Sequence, residues 1–214
     1  MIRNLLFDLG GVIMDIERMR AVRALQALGM KQADKVLGEY AQSGPFGDLE
    51  SGLITPDEFH KRMASMIDSN VSYDEIDRAF VKFLVGIPRH RLESLRHWRT
   101  KYKVYLLSNT NIIMWESEIK RQFTQEGFTI NDYFDGIVTS FEAKVMKPDP
   151  AIFKYAERQL GIVPEETLFL DDSEANCEAA RRLGWHAECV HPGVEFNDIL
   201  LRYFDKESCR HNDD

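Results

Sequence analysis

The N-terminal segment contains a continuous apolar run that ends in a carboxylate. Residues 2–12 read IRNLLFDLGGV, so Asp8 closes the run and Gly10 and Gly11 follow almost at once. An unbroken run of this kind predicts a buried parallel strand whose last residue emerges at the carboxyl edge of a sheet. Ligands bind at that edge in open α/β sheets. The glycines allow a sharp turn that exposes backbone amides and carbonyls beside Asp8.

The stretch from about residue 15 to residue 90 has helical periodicity instead. Residues 20–28 and 56–67 carry apolar side chains at spacings of three and four. Thr55, which is followed by a proline and two acids, is typical of a helix start, and Ser72 begins a capping box. No convincing strand interrupts this stretch, so the pattern predicts a wholly helical segment.

From residue 92 onward, short apolar runs alternate with amphipathic segments. The predicted strands are 103–109, 134–140, 167–172 and 186–190, and the predicted helices are 112–123, 150–160 and 174–183. Alternation of this kind indicates parallel strands joined by crossover helices. The polar residues from 205 to 214 are predicted to be frayed.

These patterns together predict an α/β fold with two parts. A doubly wound, Rossmann-like parallel sheet comprises residues 1–14 and 91–214, and a helical cap of residues 15–90 is inserted after its first strand. Because the cap enters the sheet directly beside Asp8, we expect it to lie over that residue and to close on it.

The net charge of the chain bears on which classes of macromolecule it could bind. Its 214 residues carry a formal net charge of −8, which argues against nucleic acid or an anionic membrane. An anionic substrate must therefore be held by local devices such as a metal ion, a lysine or aimed backbone amides. No run approaches the roughly 20 apolar residues of a membrane span, and the N-terminus does not resemble a secretory signal. Three cysteines in no metal-type spacing favour a cytoplasmic protein with reduced thiols.

Two groups suited to phosphate chemistry follow Asp8 at the ends of later strands. Ser108 and Asn109 offer a hydroxyl and a backbone amide to phosphoryl oxygens. Lys147 lies in the segment MKPDP, whose prolines hold the chain extended, so it is a fixed positive charge able to pair with Asp8. Each signal is weak alone, because serine and asparagine commonly start turns and a lysine before a helix is usually solvated. Asp8 itself could attack phosphorus and form an aspartyl-phosphate, or hold a metal.

A third group is the pair of adjacent carboxylates Asp171 and Asp172, at the end of the predicted strand 167–172. Two such carboxylates repel each other unless a cation lies between them, and their hard oxygens are ligands that Mg²⁺ prefers. One of the two could instead cap the helix that begins near Glu174, but this explains only one of them.

Four short motifs, FDLGGV, LLSNT, MKPDP and LFLDDSEAN, occur in this order and together resemble the haloacid dehalogenase-like hydrolase superfamily. The resemblance covers nearly the whole chain and implies an α/β core with a helical cap, Mg²⁺ as cofactor and, usually, phosphatase activity. The resemblance implies that Asp8 is the nucleophile and, with the Gly10 carbonyl, a metal ligand. It implies that Asp172 is the main metal carboxylate, with Asp171 as a direct or water-mediated second, and that Lys147 stabilises charge. The phosphate-binding residues that it implies are Gly11, Ser108, Asn109 and Lys147.

The chain departs from the family pattern at Gly10. Most phosphatases that it resembles carry a second aspartate there, which protonates the leaving oxygen and later activates water. General acid–base catalysis of this kind is typically worth about 10²–10⁴-fold in rate. The metal need not be affected, because the family residue ligates through its backbone carbonyl, which Gly10 retains.

Three hypotheses account for this departure. The chain could be a 2-haloacid dehalogenase, which needs no such acid, or a catalytically weak binding protein of the same fold. We favour a phosphatase of a small phosphorylated metabolite, because its motifs resemble the bacterial α-D-glucose-1-phosphatase-like subgroup and a sugar 1-phosphate has an easier leaving group. The acid could also come from elsewhere. The candidates for a substitute acid or for substrate specificity are Asp15, Glu17, Phe46, Asp48 and Glu50. A monomer or a homodimer is expected.

Overall fold

A five-stranded parallel sheet forms the centre of the molecule. The computed structural model describes residues 1–38, 42–67 and 70–210, with side chains described as far as residue 205. The strands of this sheet are β1 (Asn4–Phe7), β4 (Lys103–Ser108), β5 (Gly136–Thr139), β6 (Thr167–Asp171) and β7 (His186–Cys189), in the order β5-β4-β1-β6-β7. Strand β1 lies in the middle and pairs in parallel with both β4 and β6. The predicted α/β fold with a parallel sheet is confirmed.

The register of the three central strands determines what meets at their carboxyl ends. Phe7 of β1 lies opposite Leu106 of β4 and Leu170 of β6. The next residue, Asp8, donates its backbone amide to the Leu170 carbonyl at 2.8 Å. Because parallel strands end at one edge, Asp8 lies beside the ends of β4 and β6, as the sequence predicts.

The helices have the following bounds. They are α1 (Arg18–Ala27), α2 (Ala33–Val36), α3 (Gly44–Glu50), α4 (Pro56–Met66), α5 (Tyr73–Val81), α6 (Arg89–Arg99), α7 (Ile112–Met114), α8 (Lys120–Gln122), α9 (Ile130–Tyr133), α10 (Ser140–Ala143), α11 (Pro150–Leu160), α12 (Glu174–Arg182) and α13 (Phe196–Arg210). A π-helical stretch, Trp115–Ile119, joins α7 to α8, and a 3₁₀ turn, Pro164–Glu166, precedes β6. Among the described residues, no helix is long and apolar enough to span a bilayer.

The two faces of the sheet carry separate hydrophobic clusters. Alternate residues of a strand point to opposite faces, and accordingly Leu5 and Phe7 belong to one cluster and Leu6 to the other. The first cluster also includes the buried side chains of α1, α3, α4 and α5, so the helices that follow β1 share a continuous interior with the sheet. The second cluster packs α11 and α12 against the opposite face.

The prediction that no strand interrupts residues 15–90 is wrong. Strand β2 (Asp15–Ile16) pairs antiparallel with β3 (Leu84–Gly86), near the two ends of the helical stretch. Strands of two and three residues are too short to produce a recognisable alternation of apolar and polar residues. The division into core and cap stays a prediction. We refer below to residues 15–90 as the inserted segment.

The predicted frayed tail is wrong for residues 205–210. Helix α13 continues to Arg210, and residues 211–214 lie outside the described residues. The helix is held by Phe196, Ile199 and Leu200, which are buried at helical spacing. This spacing is visible in the sequence, but the polar residues that follow it obscure the helix.

Phe46 packs in the interior of the inserted segment. Its side chain has no exposed surface, and its ring lies 4.8 Å from that of Phe80 and 5.5 Å from that of Phe59, measured between centroids. The expectation that Phe46 is a specificity residue is therefore not supported, because its side chain is fully buried among other aromatic rings. Its contribution is to stability, through the apolar surface that it buries.

We expect Phe46→Ala to lower the free energy of unfolding by about 3–5 kcal/mol, because it leaves a cavity among aromatic rings. Urea unfolding followed by circular dichroism measures the change. The matched control is Leu53→Ala, since Leu53 is 68% exposed and its removal should change stability little. A loss for Phe46→Ala no larger than for Leu53→Ala would contradict this packing role.

Candidate active site

A pocket opens at the carboxyl edge of the sheet. Its floor comes from the ends of β1, β4 and β6 and its walls from the inserted segment. The polar residues that line it are Asp8, Gln42, Glu50, Ser108, Asn109, Thr110, Lys147, Asp172, Ser173 and Asn176. Apolar side chains such as Met14, Ile16 and Phe80 cover the other walls. The four sequence motifs therefore meet in one cavity, together with residues from 15–90.

Lys147 connects the strand ends at the bottom of this pocket. Its Nζ donates to Asp8 Oδ1 at 2.7 Å, to Asp171 Oδ2 at 2.7 Å and to the Leu107 carbonyl at 2.9 Å. Its side chain is 1% exposed. Burial opposes its charged form, but Asp171 and Asp8 together raise the pKa of Lys147 above its ordinary value. Lys147 is thus the fixed positive charge that the sequence predicts, and it remains protonated at neutral pH.

Asp8 is a carboxylate whose charge is disfavoured by its surroundings. Burial, with a further contribution from Asp171 and Asp172, raises the pKa of Asp8 to about 7, although Lys147 acts in the opposite direction. A divalent cation beside Asp8 would favour the ionised form, since an opposite charge at close range lowers the pKa of a carboxyl group. A bound cation would therefore increase the ionised fraction of Asp8 at neutral pH.

Asp171 is held by hydrogen bonds on both oxygens. Oδ2 accepts from Lys147, while Oδ1 accepts from the Ser173 amide at 2.9 Å and from Asn176 Nδ2 at 2.8 Å. Its side chain has no exposed surface. Asp172, by contrast, lines the pocket. The adjacent carboxylates thus face different environments, and Asp172 is the one presented to a ligand.

Three carboxylates come together at a spacing suited to one metal ion. Asp8, Asp171 and Asp172 each offer an oxygen, and these oxygens lie within 4.8 Å of one another. With all three ionised, three negative charges against the single positive charge of Lys147 leave the cluster at −2. Hard oxygen donors with a surplus of negative charge match the preference of Mg²⁺.

The Asn109 side chain bonds to the backbone of Lys147 rather than facing a phosphate group. Its Nδ2 donates to the Lys147 carbonyl at 2.9 Å, and its Oδ1 accepts from the Lys147 amide at 2.9 Å. The side chain therefore fastens the segment that carries Lys147 to the end of β4. Ser108, the last residue of β4, is 2% exposed and lines the pocket beside Asp8, where its hydroxyl can reach a phosphoryl oxygen.

The two glycines after Asp8 serve different purposes. Gly10 lines the same pocket as Asp8 and Asp172. Gly11 has a φ of +75°, and its amide donates to the Met14 carbonyl at 2.9 Å. A Cβ at Gly11 would lie 2.3 Å from Asp172 Oδ2. The expectation that Gly11 binds phosphate is not supported, because its amide is engaged in the turn; its lack of a side chain leaves room for Asp172.

Of the four acidic candidates for a substitute acid, one lines the pocket. Asp15 Oδ1 accepts from Arg91 at 2.7 Å, and Asp48 Oδ2 accepts from Arg62 at 2.8 Å. Glu17 is exposed at the start of α1. None of these three lines the pocket, whereas Glu50 does. The expectations for Asp15, Glu17 and Asp48 are thus not supported.

Sequence reasoning missed Gln42. Its Oε1 is buried and has no hydrogen-bond partner among the described residues, while its Nε2 donates to the Gly38 carbonyl at 3.2 Å. Because Gln42 lines the pocket, this oxygen is an acceptor available to a ligand. Gln42 lies in no recognisable sequence motif, so only the tertiary structure identifies it as a pocket residue.

The arrangement is suited to transfer of a phosphoryl group. Asp8 is placed to attack, Lys147 and Ser108 are placed to bind the oxygens of the transferred group, and the carboxylate cluster can hold the cation that neutralises its charge. Such fixed charges act strongly in a site from which water is excluded.

Comparison with known proteins supports this reading of the motifs. The family model of haloacid dehalogenase-like hydrolases matches residues 2–184. The D-ribitol-5-phosphate phosphatase of Bacteroides thetaiotaomicron is 37% identical over 200 residues, which cover 94% of this chain and 97% of the relative.

Solved structures agree with the sequence relatives. A haloacid dehalogenase family enzyme from Bacteroides thetaiotaomicron, in complex with magnesium and inorganic phosphate, has a TM-score of 0.87 and 40% identity, covering 93% of this chain and 99% of that one. A haloacid dehalogenase-like hydrolase from Porphyromonas gingivalis has a TM-score of 0.88 and 33% identity, covering 95% and 98%. L-2-haloacid dehalogenase from Xanthobacter autotrophicus, at 18% identity and a TM-score of 0.59, covering 87% and 76%, shares the fold alone. The chain belongs to the haloacid dehalogenase-like hydrolase family.

Proposed function

We propose that this protein is a Mg²⁺-dependent phosphatase that hydrolyses a small phosphorylated metabolite through an aspartyl-phosphate. The observation that carries the proposal is the cluster of Asp8, Asp171 and Asp172 with Lys147 bonded to two of them at 2.7 Å. The similarity to a sugar-alcohol phosphate phosphatase, and to a structure that binds magnesium and phosphate, supports it.

The residues present fit a magnesium ion. Asp8, Asp172 and the Gly10 carbonyl would hold it, and Asp171, whose oxygens already accept three hydrogen bonds, lies beside them and positions Lys147. When bound, the metal neutralises negative charge on the phosphoryl oxygens and favours the ionised form of Asp8.

The proposed hydrolysis proceeds in two steps, formation and breakdown of the aspartyl-phosphate. A carboxylate oxygen of Asp8 attacks phosphorus, the bond to the leaving oxygen breaks, and that oxygen takes a proton. Lys147 and Ser108 bind the oxygens of the transferred phosphoryl group. A water molecule then loses a proton, attacks the phosphorus of the aspartyl-phosphate, and releases inorganic phosphate and the Asp8 carboxylate.

We infer that the substrate is a sugar or sugar-alcohol phosphate. Gln42 Oε1, which has no hydrogen-bond partner in the described part of the chain, could accept a hydrogen bond from a hydroxyl group, and the relative from Bacteroides thetaiotaomicron is a D-ribitol-5-phosphate phosphatase. A sugar 1-phosphate is the narrower form of this hypothesis, because its anomeric oxygen leaves more readily than an alkoxide. Phosphate release from D-ribitol 5-phosphate, α-D-glucose 1-phosphate and D-glucose 6-phosphate, with Mg²⁺ and with chelator, distinguishes these substrates.

We expect Asp8→Asn to abolish Mg²⁺-dependent phosphate release, because an amide cannot form the aspartyl-phosphate. The matched control is Asp149→Asn. Asp149 caps α11 by accepting from the Ala151 amide at 2.8 Å, and asparagine caps helices equally well, so activity should persist. Equal turnover by Asp8→Asn and the wild type would exclude the covalent mechanism.

We expect Gly11→Ala to weaken Mg²⁺ binding by displacing Asp172. Disturbing the contacts that position a metal ligand typically reduces metal affinity by about 10–100-fold, which would appear as a higher Mg²⁺ concentration for half-maximal activity. Gly193→Ala is the control, because Gly193 has a similar φ of +79° but no atom of the described residues lies within 4 Å of an added Cβ. An unchanged Mg²⁺ dependence in Gly11→Ala would argue against Asp172 as a ligand.

A further inference from the structure

We propose that Glu50 is the general acid and base of this enzyme and replaces the carboxyl group that Gly10 lacks. This inference rests on the proposed phosphatase function. In it, the Glu50 carboxyl donates its proton to the leaving oxygen as Asp8 attacks phosphorus. The resulting Glu50 carboxylate then accepts a proton from the water that attacks the aspartyl-phosphate, so the acid is regenerated in each cycle.

The first observation is the position of Glu50. It is the last residue of α3 and lines the same pocket as Asp8, Ser108 and Lys147, yet it comes from the inserted segment. It is the one candidate acid outside the carboxylate cluster that the described residues place in this pocket. Glu50 therefore brings a carboxyl group from the inserted segment to the pocket that holds Asp8.

The second observation is that the end of α3 is fastened to the sheet. The Glu50 carbonyl accepts from Ser140 Oγ at 2.7 Å. The same hydroxyl oxygen accepts from the Thr110 amide at 3.0 Å and lies 3.0 Å from the Thr110 carbonyl. Thr110 is two residues beyond Ser108, so one hydroxyl group links the backbone at Glu50 to the phosphate-binding end of β4.

Close packing at Gly52 strengthens this attachment. The Gly52 carbonyl accepts from Lys144 Nζ at 2.5 Å, and a Cβ at Gly52 would lie 2.1 Å from the Phe141 carbonyl oxygen. The backbone after α3 therefore lies directly against α10. This contact keeps Glu50 at a set distance from the strand ends, as a proton donor requires.

The third observation concerns the carboxyl group itself. The Glu50 side chain has no hydrogen-bond or ion-pair partner among the described residues, and burial raises the pKa of Glu50 to about 8. The charged groups that share its pocket are Asp8, Lys147 and Asp172. From the adjacent α10, Lys144 is bonded to Gly52. Partial burial without a cationic partner favours the protonated form of this carboxyl group, which can donate a proton.

The space beside Gly10 makes a reciprocal test possible. A Cβ at Gly10 would meet only Ile16 methyl groups, at an ordinary contact distance of 3.5 Å. An aspartate at position 10 can therefore be accommodated. It would place a carboxyl group where most phosphatases that the sequence resembles carry one.

The experiment measures leaving-group release in the first turnover, by rapid quench with Mg²⁺, from D-ribitol 5-phosphate and p-nitrophenyl phosphate. We expect Glu50→Gln to slow release from the alkyl ester by about 10²–10⁴-fold, because an alkoxide needs a proton to leave. Release of nitrophenolate, which leaves without a proton, should stay within a few-fold of the wild type. Asp48→Asn, on the same helix but paired with Arg62, should affect neither ester.

Two further variants guard against a folding defect. Glu50→Asp keeps a carboxyl group and should lose less activity on D-ribitol 5-phosphate than Glu50→Gln, with nitrophenolate release again preserved. Gly10→Asp, added to Glu50→Gln, should recover release from the alkyl ester at least tenfold, because it supplies a new acid. Recovery of this kind cannot arise from a merely structural role of Glu50.

The outcomes separate this inference from the proposed function. Equal losses for both esters, or a rise in KM for D-ribitol 5-phosphate with unchanged first-turnover rate, would overturn the role of Glu50 in an otherwise active enzyme. Wild-type turnover of p-nitrophenyl phosphate alone would also overturn it, since a working acid should support alkyl esters. A wild type that releases phosphate from no ester with Mg²⁺ would overturn the phosphatase itself.

Discussion

The buried contact of Lys147 with Asp8 and Asp171 is the interaction on which the site depends. It joins residues from three separate stretches of the chain through hydrogen bonds of 2.7 Å in a place almost without solvent. Burying a charge costs free energy unless the charge is paired and hydrogen-bonded. Removing the Lys147 side chain would therefore leave the two buried carboxylates without their cationic partner. The parallel register of β1, β4 and β6 provides this pairing, because it ends the three strands at one level.

A second set of contacts supports this centre without entering the reaction. Asn109 fastens the Lys147 backbone to the end of β4, and Asn176 with the Ser173 amide orients Asp171. Gly11 allows Asp172 to approach the turn after β1. Some polar residues of the motifs thus face the pocket, and others hold the pocket-facing residues in place. The motifs alone do not show which residues belong to which set.

The inserted segment completes the site rather than only covering it. Gln42 and Glu50 both line the pocket, and Ser140 connects the end of α3 to the loop after β4. In the proposed mechanism, the ends of the sheet strands and the Lys147 segment supply the nucleophile and the charges, which suit any phosphate ester. The inserted segment would then contact the remainder of the substrate. Because position 10 is a glycine and has no carboxyl group, the proton donor in this mechanism also comes from the inserted segment.

The sequence by itself determined the parallel α/β fold, the family and the four motifs, because long apolar strands and strand-end polar residues leave a local pattern. It also identified Asp8, Lys147 and Asp172 as residues of the pocket. The short strands β2 and β3, the length of α13 and the interior position of Phe46 were not predicted, since each depends on contacts with distant residues. The choice of Glu50 over Asp15, Glu17 and Asp48 likewise required the tertiary structure. All four are acids in polar stretches, and only the packing of α3 against α10 decides which of them lines the pocket.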